Sequence, residues 1–220
     1  IAIGFLGYAW DFIDSINAKE NKFGTAPLKE KIILEDIRRL KEKVDITVVS
    51  LHWGYDREKY PLPSQRKLAH NLIDCGANLI LGHHPHVLQG IENYNKGVIV
   101  YSQGNFIFPD ISYKQYNLIQ KRENKESIIF QIRFSKAGIE SYNLTPIRVN
   151  EDYQPLILED EEKEALLKKI EILSEGFSSG NYRRYWRKNR VRKDLLDIEN
   201  SGLYNVCLLY TSDAADELDG

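Results

Sequence analysis

Residues 45–86 read DITVVSLHWGYDREKYPLPSQRKLAHNLIDCGANLILGHHPH, and this stretch decides the fold class. Two short apolar runs within it, Asp45–Leu51 and Asn78–Leu81, predict β-strands that are buried in a sheet. Between them, Ser64–Cys75 has apolar residues at helical spacing and predicts an amphipathic helix. A strand–helix–strand unit of this kind places its two strands in parallel with a right-handed connection. The stretch therefore predicts an α/β domain.

The segments on either side of this unit add further strands and helices. Before it, Ile1–Ala9 predicts a strand and Leu28–Lys43 predicts an amphipathic helix. After it, Gly97–Tyr101 predicts another strand, and Ser127–Phe134 and Ile139–Val149 predict a hairpin. Helix-linked strands that are followed by a hairpin indicate an α/β domain with a mixed sheet.

Four of the five histidines follow the two strands of the central unit. His52 comes directly after the first strand, and His83, His84 and His86 follow the second in the string GHHPH. Open α/β sheets bind ligands at the carboxyl ends of their strands, and converging imidazoles are typical ligands of divalent metals. We therefore predict a metal site at this edge of the sheet. His70, on the intervening helix, is expected to have only a structural role.

Carboxylates are the other component that such a site requires. A hydrolytic centre with two metal ions needs acids that bridge the ions and balance their charge. The nearby acids are Asp56, Glu58 and Glu92. Asp56 and Glu58 are either metal ligands or solvated charges in a loop, and the sequence does not favour ligation over the loop role. We expect the principal carboxylates to lie in sequence that precedes this chain.

Three further polar residues follow the histidines at short distance. Gln89 and Glu92 lie in a predicted short strand, where they hold histidine N–H groups, contact substrate, or form an exposed strand edge. Asn105 lies in a turn with Gly104, and it either caps that turn or presents its amide to a ligand.

Composition and charge exclude several classes of protein. The 220 residues include 30 Lys and Arg against 32 Asp and Glu, a net charge of −2, which argues against a general nucleic-acid binder. The two cysteines, Cys75 and Cys207, are too few for a disulfide scaffold and lack metal-ligand spacing. No apolar run approaches the roughly 18 residues of a membrane span. Because the chain has no methionine and opens inside an apolar run, we interpret it as a fragment without its N-terminal part.

The C-terminal third differs in character from the rest. Residues 151–206 are expected to form a helical basic and aromatic extension, beginning with a charged amphipathic helix at Glu159–Leu173. Within it, Tyr182–Arg190 interleaves arginines with aromatic residues, which suits an anionic polymer, an anionic membrane surface, or a helix packed on the domain. Residues 207–220 break the pattern, and we interpret them as a read-through or adapter-derived tail rather than an acidic native tail.

Three strings resemble a known family. They are HWGYD at 52–56, LAHNLIDCGANLILGHHPHVLQGIENY at 68–94 and VIVYSQGNFIF at 98–108. Together they resemble the CapA/PgsA-type capsule-biosynthesis proteins, the poly-γ-glutamate capsule (PGA_cap) family, which is related to the calcineurin-like metallophosphoesterases. The resemblance extends over residues 1–150.

This resemblance implies a fold and a ligand set. The fold would be a four-layer α/β/β/α sandwich, of which this chain is the C-terminal half. Two divalent metal ions would lie between the sheets, with Mn, Fe and Zn not distinguished. His52 would match the isolated histidine of these phosphoesterases, and His84 and His86 their His-x-His, with His83 as a further candidate. The family's bridging Asp and catalytic His would lie upstream of this chain.

The resemblance also implies a function. It indicates a protein of poly-γ-glutamate capsule synthesis with a metal-dependent phosphoesterase-type site, acting on a phosphoester or an anionic polymer, within a capsule-synthesis complex and without a specific nucleic-acid partner. The alternative is a non-catalytic accessory protein for synthesis, binding or export of the polymer. The family suggests a membrane-associated or extracytoplasmic protein, and the chain alone is expected to be inactive.

Overall fold

Five strands form a mixed sheet in the computed structural model, which describes residues 1–10, 17–113 and 116–189. The strand order is β1-β2-β3-β5-β4. β1, β2, β3 and β5 run parallel, whereas β4 pairs antiparallel with β5. The bounds are β1 Ile3–Ala9, β2 Ile46–His52, β3 Leu79–His83, β4 Ile91–Tyr94 and β5 Gly97–Val100.

Two helices connect the parallel strands. Helix α1 (Glu30–Leu40) joins β1 to β2 and buries Ile33 and Ile37, while α2 (Pro63–Cys75) joins β2 to β3. The prediction of a parallel pair connected by a helix is confirmed, since β2 and β3 pair in parallel from Val48 opposite Leu79 to His52 opposite His83. Both strand ends that carry histidines therefore lie at one edge of the sheet.

The second half of the chain adds two antiparallel sheets. β6 (Ile111–Tyr113) pairs with β7 (Tyr116–Leu118), and a short 3-10 turn at Arg122–Asn124 follows. The predicted hairpin is confirmed: β8 (Glu126–Ser135) and β9 (Gly138–Val149) pair antiparallel, and β10 (Pro155–Ile157) extends this sheet along β9.

One hydrophobic core joins the mixed sheet to the three-stranded sheet. The strands of the mixed sheet contribute side chains such as Ile46, Val48 and Leu79, and the three-stranded sheet contributes Ile128 with the partly buried Phe130. These residues come from positions between 46 and 130 of the chain, so the two halves of the sequence depend on each other for burial. The α/β class with a mixed sheet is thus as predicted.

Helix α3 (Asp160–Glu175) places its apolar side in the same core. Leu166 and Ile170 are members of that core, and Ser174 Oγ accepts a hydrogen bond of 2.9 Å from the Ile91 amide of β4. From the sequence, this helix was predicted to be part of an extension over residues 151–206. In the structure the first unit runs from Ile1 to Ser174, because the apolar face of α3 completes its core.

A second unit begins at Glu175, and its described residues end at Asn189. Residues 181–189 are helical, and the rings of Phe177 and Tyr182 pack 5.5 Å apart. The remainder of the basic and aromatic extension, from 190 to 206, and the segment 207–220 lie outside the described residues, so the proposals for them stay predictions. Within the described part of the chain, no helix is long and apolar enough to cross a membrane.

Candidate metal centre

The histidines that follow β2 and β3 meet at the carboxyl end of the mixed sheet. The ring centroids of His52 and His84 are 4.7 Å apart, and those of His84 and His86 are 5.7 Å apart. This proximity follows from the parallel register, which sets the last residue of β2 beside the last residue of β3. The structure therefore brings together the three histidines that the sequence singled out as ligands.

Asp56 completes a group with metal-ligand geometry. Its Oδ1 lies 3.3 Å from Nε2 of His84, and one ligand atom from each of Asp56, His84 and His86 lies within 4.8 Å of the others. Two imidazoles and one carboxylate are a donor set that divalent transition metals accept. The chemistry of these residues fits a divalent cation. Asp56 is 65% exposed, so the group faces solvent on its acidic side.

His52 and His83 lie beside this group without belonging to it. His52 is exposed and packs its ring against that of His84, whereas His83 is partly buried at the end of β3. Loss of water around part of its ring lowers the pKa of His52 although the side chain remains accessible to solvent, and the nearby histidines lower it further against the opposing charge of Asp56. Burial also lowers the pKa of His83, and it lowers that of His84 despite Asp56. Neutral imidazoles, which have a free lone pair, are thereby favoured at neutral pH.

Main-chain hydrogen bonds connect the loop after β2 to the loop after β3. The Trp53 amide donates to the His83 oxygen at 3.0 Å, and the Arg57 amide donates to the Pro85 oxygen at 2.7 Å. The backbone of His84 and His86 lies in the left-handed region, at φ 99 and φ 57. Such conformations are unfavourable for these residues and persist only when surrounding contacts hold them. The two loops therefore position each other.

A close contact beneath the histidines fixes the end of β3. The indole Nε1 of Trp53 donates to the Tyr101 oxygen at 3.1 Å, and both rings are buried. This contact leaves no room for a side chain at Gly82, where a Cβ would lie 1.9 Å from the Tyr101 oxygen. No pattern in the sequence singled out Gly82.

Asn105, one of the polar residues that follow the histidines in the sequence, contacts His86. Its Oδ1 lies 2.8 Å from Nδ1 of His86, and the ring of Phe108 packs 4.6 Å from the His86 ring. A further residue, Asn124, donates from Nδ2 to the His86 oxygen at 2.9 Å. Sequence reasoning missed Asn124, because it stands among charged residues in KRENKE at 121–126 and no local pattern distinguishes it.

Gln89 and Glu58 meet at the base of the loop that carries Asp56. Nε2 of Gln89 donates to the main-chain oxygen of Glu58 at 2.9 Å, and Gln89 is only 2% exposed. Glu58 thus contributes its backbone to this contact. Gln89 lies under the loop rather than beside the histidines, so it supports the segment on which Asp56 is placed.

Glu92 belongs to a different cluster. Its carboxylate accepts hydrogen bonds from Arg66 at 2.6 Å and from the Tyr101 hydroxyl at 2.7 Å, and Nε2 of His70 lies 3.1 Å away. Burial alone would raise the pKa of Glu92, but hydrogen bonds from His70, Arg66 and Tyr101 outweigh it and lower the pKa to about 2. The structure therefore places Glu92 in a part-buried ion pair with Arg66 and not in the group of Asp56, His84 and His86.

Residues 1–110, half of the chain, match the family described as "Bacterial capsule synthesis protein PGA_cap". The chain belongs to the PGA_cap family. The match contains the whole candidate group of Asp56, His84 and His86 together with His52 and Asn105. Asn124 lies beyond it, so this contact to His86 comes from outside the matched region.

Curated relatives of this PGA_cap chain carry names from capsule synthesis. The chain is 36% identical over 151 residues to the PGA biosynthesis protein CapA of Bacillus subtilis, covering 69% of this chain and 37% of that protein. It is 30% identical over 155 residues to the capsule biosynthesis protein CapA of Bacillus anthracis, covering 69% and 36%. It is 36% identical over 67 residues to a "probable polyglutamine synthesis accessory protein" of Mycobacterium tuberculosis, covering 30% and 18%. The chain thus spans little more than a third of the length of the two CapA proteins.

Proposed function

We propose that this chain contributes one side of a divalent-metal site to a protein of bacterial capsule synthesis. The observation that carries the proposal is the convergence of Asp56, His84 and His86 at the carboxyl ends of β2 and β3. The names of the two Bacillus CapA relatives support the biological role, since they refer to PGA and capsule biosynthesis.

The site is proposed to be of the phosphoesterase type. A bound divalent cation would neutralise negative charge on phosphoryl oxygens and lower the pKa of a bound water. In this chain His84 and His86 would supply neutral nitrogen ligands and Asp56 a negative oxygen ligand. His52, whose ring lies against that of His84, is proposed as a further nitrogen ligand on the same side. His83 would support this set from the end of β3.

The finer description of the fold belongs to the same proposal. The mixed sheet and the three-stranded sheet share one core, which supports a four-layer α/β/β/α arrangement of the metallophosphoesterase type. In that arrangement the family's bridging Asp and catalytic His would come from a preceding segment. The catalytic residues of the whole protein are therefore proposed to lie outside the described group.

The second candidate function is a non-catalytic accessory role in synthesis, binding or export of the anionic polymer. One observation favours it: among the described residues, the group that meets at the site includes a single carboxylate, and that carboxylate is largely exposed. The accessory name of the Mycobacterium relative supports the same role. A metal held by these residues would then bind the polymer's carboxylates rather than promote hydrolysis.

A metal titration tests whether these residues bind a divalent cation. We expect Mn²⁺ or Co²⁺ to bind the chain, and we expect Asp56→Asn and His84→Ala to weaken that binding. Asp152→Asn, which changes an exposed acid in the turn after β9, serves as the matched control. Binding that is equal in all four proteins would show that the metal is held elsewhere. A phosphatase assay on a longer family member that binds metal at this site then separates the enzyme from the accessory protein.

A further inference from the structure

The His86 side chain and backbone belong to a chain of three hydrogen bonds with two buried amides. Nδ1 of His86 lies 2.8 Å from Oδ1 of Asn105. Nδ2 of Asn105 donates to the main-chain oxygen of Asn124, and Nδ2 of Asn124 donates to the main-chain oxygen of His86, both at 2.9 Å. Asn105 and Asn124 are 7% and 1% exposed. We call these two residues and their contacts to His86 the amide clamp.

We propose that, within the amide clamp, Asn105 selects the tautomer of His86, so that Nδ1 carries the proton and Nε2 presents its lone pair. Asn105 acts on the ring and Asn124 acts on the main chain, and both are positioning residues. This inference rests on the proposed function, because a free Nε2 lone pair is what a metal ligand requires.

The direction of each hydrogen bond follows from groups that have only one possible role. A main-chain oxygen can only accept, so the amide group of Asn105 must turn its NH₂ toward the Asn124 oxygen. The other end of the same amide, Oδ1, then faces His86 and can only accept as well. Nδ1 of His86 must therefore be the donor, which leaves Nε2 unprotonated in the neutral ring.

The orientation of the Asn124 amide follows in the same way, because the His86 main-chain oxygen can only accept a hydrogen bond. Its NH₂ faces the main-chain oxygen of His86, a residue whose φ of 57 lies in the left-handed region. Among the described residues, Oδ1 of Asn124 is buried without a hydrogen-bond partner. An unpaired buried acceptor lowers stability. The Asn124 amide therefore positions the His86 main chain at a cost in stability, because its own oxygen stays without a hydrogen bond.

The three residues joined in the amide clamp lie in three different segments of the fold. His86 follows β3, Asn105 follows β5, and Asn124 ends the 3-10 turn before β8. Gly104, at φ 75, turns the chain immediately before Asn105, and its Cβ would lie 2.3 Å from the Glu126 oxygen. The ring of His86 is therefore set by contacts between the mixed sheet and the segment that leads into the three-stranded sheet.

The test is a tautomer measurement on the metal-free chain. Long-range ¹H–¹⁵N spectra of uniformly labelled protein distinguish the two ring nitrogens, and His86→Gln assigns the His86 signals. We expect the Nδ1–H tautomer in the unchanged chain. Asn105→Ala should lose that preference, while Asn105→Asp should keep an Nδ1–H that donates to its carboxylate, although its second oxygen cannot donate to the Asn124 oxygen as the amide does. Asn124→Ala should also keep it, since alanine retains the main-chain oxygen that orients Asn105.

A Co²⁺ titration measures the consequence for binding. We expect Asn105→Ala to weaken binding by at least about tenfold, as loss of a partner that orients a metal-ligating histidine typically does. Asn105→Asp should recover most of that loss. Asn143→Ala, an exposed asparagine on β9, is the matched control and should change neither the tautomer nor the affinity.

The outcomes are distinguishable. An Nε2–H tautomer in the unchanged chain overturns the inference, as does an Asn105→Ala protein with unaltered tautomer and affinity. If the unchanged chain binds no Co²⁺, the proposed function fails, while the metal-free spectrum still decides the clamp. If Asn105→Ala does not fold, the spectrum of the unchanged chain together with that of Asn105→Asp remains decisive.

Discussion

Oδ1 of Asp56 lies 3.3 Å from Nε2 of His84, although the two residues belong to loops that follow different strands. The contact depends on the parallel pairing of β2 and β3, which ends both strands at the same edge. It also depends on the hydrogen bond from the Arg57 amide to the Pro85 oxygen, which joins the residue after Asp56 to the residue after His84. A carboxylate and an imidazole are thereby held at a distance that a shared cation can span.

We expect Asp56→Asn to weaken binding of Mn²⁺ or Co²⁺ by more than about tenfold, because it removes the negative ligand from a group of otherwise neutral donors. The free energy of unfolding without metal should change by less than about 0.5 kcal/mol, since Asp56 is 65% exposed. Isothermal titration and urea unfolding measure the two quantities. Asp152→Asn should leave both unchanged, and an equal loss of affinity in that control would contradict a specific role for Asp56.

We expect Gly82→Ala to destabilise the fold by more than about 3 kcal/mol, because overpacking against rigid backbone is not easily relieved. The added Cβ would lie 1.9 Å from the Tyr101 oxygen, which also accepts the Trp53 indole N–H. Gly7→Ala in β1 is the matched control, since a Cβ there meets nothing within 4 Å. Urea unfolding compares the two variants, and equal stability of both would show that β3 shifts to accommodate the methyl group.

The part-buried ion pair between Glu92 and Arg66 predicts a specific dependence of stability on pH. The pKa of Glu92 falls from an ordinary value of 4.5 to about 2, so its contribution to stability is complete above about pH 4.5 and is lost as the pH falls toward 2. Glu92→Gln removes the charge that Arg66 and His70 face. We expect it to lower the free energy of unfolding at pH 7 by roughly 2–3 kcal/mol.

The difference between the unchanged chain and Glu92→Gln should shrink as the pH is lowered from 4.5 to 2. Urea unfolding across this pH range provides the measurement. Glu140→Gln, on the exposed side of β9, should show no such difference at any pH. A Glu92→Gln effect that is constant between pH 7 and pH 2.5 would mean that packing, rather than charge, accounts for the role of Glu92.

Local patterns in the sequence predicted the elements that place the site. The apolar run before His52, the helix that ends at Cys75 and the second run before His83 define a parallel unit, and the parallel pairing of its strands brings the histidines to one edge. Such patterns involve residues that are close along the chain, and hydrophobic spacing is visible over those distances.

Contacts between residues that are far apart in the sequence could not be predicted from such local patterns. Asn124 is 38 residues from His86, and nothing in its neighbours indicates that its side chain reaches a main-chain oxygen of the histidine loop. Glu92 was placed near the histidines because it follows them closely, yet Arg66 and His70 of α2 hold it instead. Helix α3 was predicted to be part of an extension, since an amphipathic pattern shows that a face is buried but not against which partner.

The last prediction compares this chain with a longer PGA_cap protein that contains the segment proposed to supply the bridging Asp and the catalytic His. Within the described residues, the candidate group offers one carboxylate and otherwise neutral ligands. Two divalent ions about 3.5–4 Å apart repel each other strongly unless acids bridge them. We therefore expect the 220-residue chain to bind Mn²⁺ weakly and to hydrolyse a generic phosphate ester poorly or not at all, whereas the longer protein should bind more tightly and turn over substrate.

His84→Ala or His86→Ala in the longer protein should abolish both gains, because each removes a ligand from the side of the site that this chain supplies. Metal titration and a phosphatase assay under identical conditions provide the comparison, with Asp152→Asn as the control for an unrelated surface change. Equal turnover by the short chain would contradict the argument that acids from a preceding segment are required. Tight metal binding by the longer protein without hydrolysis of any phosphoester offered would instead favour the accessory role, in which the cation binds the carboxylates of the polymer.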